Sequence, residues 1–282
     1  MDIYRYPAQF IRLKKQQWQK INKQWESGYI QEDQFESQVN VESGSQVVNP
    51  FSQLFKQRSS NNEEEYNETK RISVPPKTGE ELKRLFLDAL FLTQIKWASS
   101  TIDKRSFVED QFYDDFLLKY LLQSFPDTYL VLYRPVFFLK NAPVELEIII
   151  ITSVAVWCIV FLEGESDSVY TEEKGRFWAV KNGKEKKKIV SPLIGLNRTG
   201  QITQQILQKH KVELPIKKAI ISRTGYVDGF KDSYDLSYID KKLYPDWFSG
   251  MRSISSPLKS VQLKAAQSLL SYCHTTYIKR HM

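Results

Sequence analysis

Between Ile148 and Leu162 the chain carries no charged residue, and Ile, Val, Trp and Phe supply most of the side chains. A helix needs about 20 such residues to cross a bilayer, so this run is too short for a membrane span. Thr152-Ser153 also breaks it near its centre. Two short blocks of β-branched and aromatic residues describe two consecutive strands, each covered on both faces. A sheet flanked by helices is the arrangement that can supply those covers.

The neighbouring sequence fits. Tyr129 to Phe138, Glu145 to Ile151 and Ala155 to Phe161 all have strand composition, and Phe177–Val180 and Lys187–Val190 flank the turn pair Asn182-Gly183. Thr78-x-x-Glu81 is a capping box ahead of Leu82, Leu85, Phe86, Ala89, Thr93 and Trp97. Ser106-x-x-Glu109 is a second, ahead of Phe112, Phe116 and Tyr120, spaced as one helical stripe. Helical patterning returns from Thr199 to His210, and Lys217 to Ser222 reads as another buried strand. Ser256-Pro257 supplies an N-cap and first-turn proline for a stripe of Leu258, Val261, Ala265, Leu269 and Tyr272. The order helix, strands, helix, strand predicts an α/β (α+β) fold with a mixed sheet.

Five regions follow from composition. Residues 1–38 form an amphipathic helical region in which Ile11, Trp18 and Trp25 share a side with Ile21 among several lysines. That helix either docks on the main body or presents Trp18 and Trp25 to a protein partner, a membrane surface or nucleic acid. Residues 39–77 are a polar linker, 78–106 a helix packing on the core, 107–225 the main domain and 226–282 a C-terminal helical extension. Hydrophobic residues at 41% and charged residues at 26% exclude wholesale disorder. Only Cys158 and Cys273 are present, and Met1–Trp25 has no continuous apolar stretch, so a cytoplasmic protein is expected.

Most catalytic chemistries find no foothold. No CxxC or HExxH occurs, and no glycine loop of the GxGxxG or GxxxxGK kind is present. Cys158, inside an apolar strand, reads as core rather than nucleophile. Carboxylates remain: Glu145 and Glu147 at the start of one strand, Glu163 and Glu165 just past the end of the next. If these strands pair, their acidic ends can approach and hold Mg²⁺ or Mn²⁺; otherwise they are polar residues where strands meet water. Lys181, Lys184, Lys186, Lys187 and Lys188 surround the Asn182-Gly183 turn, within a net charge of +7. They suit contact with the phosphates of DNA or RNA, or simply a solvated hairpin, while Trp178 beside them reads as core.

Residues 108–222 resemble a NERD domain, the nuclease-related domain of the PD-(D/E)XK restriction-endonuclease-like fold. The likeness runs through Ser124-Phe125-Pro126-Asp127, the strand Tyr129–Leu132, Glu145-Leu146-Glu147 leading into Ile148–Thr152, and Val156–Ile159. It continues with Trp178, Ser191-Pro192-Leu193, the helix Gln201–Leu207 and Ala219–Ile221. Order and spacing carry it rather than any single motif.

In the family an acidic residue on one strand and Glu-x-Lys on the next, about thirteen residues later, form a metal-dependent nuclease site. Here the acidic position falls on Glu147, and the Glu-x-Lys positions fall on Val160-Phe161-Leu162. A helix carboxylate, Asp110, Asp114 or Asp115, would complete the site. The resemblance therefore implies a nuclease fold with a dismantled site, no cofactor, and a nucleic-acid-binding or scaffolding role. An active enzyme would instead need Mg²⁺ or Mn²⁺ on Glu147 and Asp114, with Glu163 or Glu165 moved into the vacant catalytic role. A protein adaptor without nucleic-acid binding is the third expectation.

Overall fold

The computed structural model describes residues 78–99, 104–173, 176–254 and 256–279. The regions 1–38 and 39–77, with the Trp18/Trp25 helix, lie outside the described residues. Helix α1 (Gly79–Ser99) belongs to a different compact unit from the elements beyond residue 100. It begins as its capping box predicts, with the Glu81 N–H donating to Thr78 Oγ1 at 3.2 Å. Phe86, Leu90, Phe91 and Ile95 are buried at helical spacing, while Trp97 stays 44% exposed.

The second unit opens with β1 (Lys104–Arg105), α2 (Gln111–Asp114) and α3 (Phe116–Ser124). Strands β2 (Leu130–Leu132), β3 (Val136–Leu139), β4 (Ala142–Glu145), β5 (Ile148–Ile151) and β6 (Val156–Phe161) follow. Next come β7 (Val169–Glu172), β8 (Phe177–Asn182), β9 (Glu185–Val190) and the long helix α4 (Pro192–Lys209). The chain continues through β10 (Ile216–Ile221), β11 (Tyr226–Asp228), β12 (Leu236–Ile239), α5 (Tyr244–Ser253), α6 (Ser260–Leu270) and β13 (Ile278–Lys279).

The central sheet runs β12-β10-β6-β5-β2. β5 is antiparallel to both β6 and β2, and β6, β10 and β12 are parallel. The run that opened the sequence reading is thus a hairpin. Thr152 turns it, donating its hydroxyl to the Ala155 carbonyl at 2.9 Å and accepting the Ala155 N–H at 3.0 Å. Period two survives although all four β5 residues are buried. Ile149 and Ile151 pack with Ile206 and Leu207 of α4 and Ala265, Ala266 and Leu269 of α6. Ile148 and Ile150 pack with Leu117 and Leu121 of α3 and Met251 of α5. Helices therefore cover both faces. No described helix is long and apolar enough to cross a membrane.

A second sheet, ordered β11-β7-β8-β9, joins the first through Cys158, Leu162, Tyr170, Trp178, Leu196 and Ile220. Trp178, expected in the core, is buried. The hairpin turn is shifted by one residue from the expected pair: Asn182 pairs with Glu185, leaving Gly183 and Lys184 as the loop, with Gly183 at φ 57°.

Several expectations are corrected. Ser106–Glu109 does not cap a helix; Asp115 does, accepting the Leu118 N–H at 2.9 Å, because the helix breaks between α2 and α3. Tyr129–Phe138 is not one strand: Arg134, at φ 44°, ends β2, and β3 turns away to pair with β4. Glu145–Ile151 divides likewise, with Glu145 closing β4 and Ile148 opening β5. Helix α4 starts at Pro192, ahead of the expected Thr199, and α6 is capped at Lys259 rather than Ser256. Phe116, counted in an apolar stripe, is 70% exposed.

Candidate functional site

Glu147 directly precedes β5, in which Ile148 pairs with Ile159. Carried one residue on, that register sets Glu147 opposite Val160. The Glu147 N–H donates to Thr199 Oγ1 on α4 at 2.9 Å. Its carboxylate lies against Gly195, one turn earlier on that helix, where any Cβ would collide with it. Arg198 Nη2 donates to the Glu145 carbonyl at 3.0 Å, which fixes β4 against the same turn of α4.

The apolar residues at the end of β6 pack against α4. Val160 and Leu162 pack with Leu193 and with Leu196, which is fully buried. The other glutamates are drawn elsewhere. Glu163 accepts from Arg223 Nε at 2.7 Å, and Glu165 accepts from Asn182 Nδ2 at the hairpin. Asp115 is occupied as the α3 cap and by the Tyr133 hydroxyl, which donates to its Oδ2 at 2.7 Å. Asp110 precedes α2 without capping it through its side chain, and Asp114 is exposed within α2. The expected meeting of Glu147 with Glu163 and Glu165 does not occur, because each has its own partner on a different element.

Among the described residues no group of three His, Cys, Asp or Glu is placed to hold a metal ion. The charges that bear on the Glu147 carboxylate are those of Arg134, Arg198 and Glu145. Such a set does not fit Mg²⁺ or Mn²⁺, which take several oxygen ligands and are repelled by guanidinium groups. Cys158 offers no alternative nucleophile, since burial pushes its thiol up to about 12.

Burial also raises the Glu147 carboxyl above its ordinary range, with Arg134 and Arg198 pulling down and Glu145 pushing up. A carboxyl whose folded value is raised weakens the fold once it ionises, and the penalty vanishes below the unfolded value near pH 4. Glu147→Gln should therefore raise the melting temperature at pH 7, with the gain shrinking to nothing by about pH 3.5. Thermal melts across that range check the sign.

The lysine hairpin is formed as the sequence suggested. Glu173 bridges Lys186 and Lys188, the latter at 3.2 Å, and Lys187 lies 3.3 Å from Glu185. Among the described residues Lys181 and Lys184 meet no carboxylate. The Lys188 ammonium also sits over the Phe177 ring, 5.4 Å from its centroid.

Sequence reading passed over Arg223, which follows β10 at the carboxyl end of the parallel strands. In open α/β sheets that end is where ligands gather, and this was the available signal. Comparisons with protein-family models, curated proteins and solved structures gave no match to this chain.

Proposed function

We propose that this is a cytoplasmic module with a NERD-like, restriction-endonuclease-like fold, whose catalytic pocket has become core and which binds nucleic acid through phosphates. The observation that carries the reading is the packing of Val160 and Leu162 in an apolar cluster with Leu193 and Leu196, Val160 standing opposite Glu147 when the β5–β6 register is carried one residue on, where the family would place a ligand and a lysine. The central sheet supports it: with the strands of the other sheets set aside, its order is a helix, the antiparallel β2, β5 and β6, the helix α4, then β10 returning parallel to β6, with helices on both faces. The lysine hairpin supplies the phosphate contact, with Lys181 and Lys184 foremost because no carboxylate among the described residues neutralises them.

The test is binding of dye-labelled DNA and RNA, followed by anisotropy across a salt series. Lys181→Gln with Lys184→Gln should lower the salt slope by about 2, as expected for two lost phosphate contacts. Lys186→Gln should do less, since Glu173 already offsets that charge. Retention of neither nucleic acid at low salt would overturn the reading in favour of a protein adaptor. Plasmid cleavage with Mg²⁺ or Mn²⁺ that disappears on Glu147→Ala would overturn it in favour of an active nuclease.

A further inference from the structure

Arg223 is held more firmly than a surface arginine needs to be. Its guanidinium carbon lies 4.3 Å from the Tyr120 ring centroid, 5.5 Å from that of Phe116 and 5.9 Å from that of Phe161. The Nε is taken by Glu163 at 2.7 Å, and the side chain is only 14% exposed. Among the described residues neither Nη group meets a hydrogen-bond acceptor. The result is a planar fork with its stem fixed and its two terminal nitrogens unused, the geometry that grips a phosphate bidentately. Around it, the Tyr120 and Tyr244 hydroxyls bond each other, which holds the α3 ring in place from α5.

Phe116 supplies the second half of a ligand site. It stands at the first position of α3, next to Arg223, and is 70% exposed. An exposed ring beside a fixed guanidinium offers a stacking surface for an unpaired base whose phosphate the arginine holds.

The same rim reaches the lysine hairpin through one loop. Glu163 meets Arg223, the Gly164 carbonyl accepts from Thr224 Oγ1 at 3.4 Å, and Glu165 meets Asn182 and, at 4.0 Å, Lys187. Successive residues after β6 thus tie Arg223 to the hairpin tip.

We infer that Arg223 and Phe116 form an anchoring site for one nucleotide of a single strand, the arginine binding its phosphate and the phenyl ring stacking on its base. This rests on the nucleic-acid reading above and names its substrate class as single-stranded. The test compares the full-length protein and its variants on a labelled oligothymidylate, an abasic strand of equal length and a duplex.

Phe116→Ala should weaken oligothymidylate binding about tenfold and leave the abasic strand unchanged, as loss of one stacked base would. Arg223→Lys, which keeps the charge and the Glu163 partner, should weaken both single strands and spare the duplex. Wild-type affinity for oligothymidylate in both variants, with binding still weakened and the salt slope lowered in the lysine-hairpin variant, overturns the anchoring site alone. Failure of the wild-type protein to bind any strand overturns the broader reading instead.

Discussion

A protein carrying Val160→Glu and Leu162→Lys should lose about 3–5 kcal/mol of stability, the scale set by charge left buried without good partners. Both positions pack against Leu193 and Leu196 in an apolar cluster, and Val160 stands opposite Glu147 when the β5–β6 register is carried one residue on, so a glutamate there meets a like charge. For a unit of this size such a loss lowers the melting temperature by about 10 °C. Thermal melts and denaturant titrations of the two single variants and the pair read it out. A pair that stays within about 1 kcal/mol of wild type and nicks plasmid with Mg²⁺ would mean that aliphatic side chains merely occupy an intact catalytic frame.

The second large effect falls on Gly225. A Cβ there would stand 2.5 Å from the Ser168 carbonyl oxygen, 2.9 Å from Ser222 Oγ and 3.1 Å from Tyr170 Cε2. The first of these atoms is backbone and cannot swing away. The Ser168 carbonyl also accepts the Tyr226 N–H at 2.8 Å, the bond that starts the pairing of β11 with β7. Gly225→Ala must therefore push the two strands apart or strain the turn, and about 3 kcal/mol is expected. Hydrogen exchange localises the damage: amides of β11 and β7 should lose protection before those of β5 and β6.

Much of the central sheet was legible in the chain. The β5–β6 hairpin followed from β-branched blocks around Thr152, and the β8–β9 hairpin from a glycine that takes positive φ at little cost. The Glu147 neighbourhood was legible only in part. That Val160 and Leu162 are apolar could be read along the sequence. That Glu163 and Glu165 turn to Arg223 and Asn182 could not, because both partners are distant in sequence and set by packing.

Pro135, directly after Arg134, was the local signal of the break between β2 and β3, since a proline cannot donate to a strand ladder. Helix α4 extends N-terminally past the expected Thr199 to Pro192, through Gly195, a residue of low helical propensity. The fold uses Gly195 and Gly200 as gaps, one for Glu147 and one for the Lys218 side chain. Phe116 was misread, since spacing alone cannot tell an apolar residue that packs from one that faces solvent.

The antiparallel pairing of Lys104–Arg105 with Ile278–Lys279 closes a loop of roughly 170 residues, and chain-closure entropy grows with that length. A seam so short returns little for so long a closure, so it assembles after the central sheet and frays before it. Since its two sides lie a strand's width apart, the polypeptide could be rejoined there and reopened at Gly183–Lys184 with the same core retained.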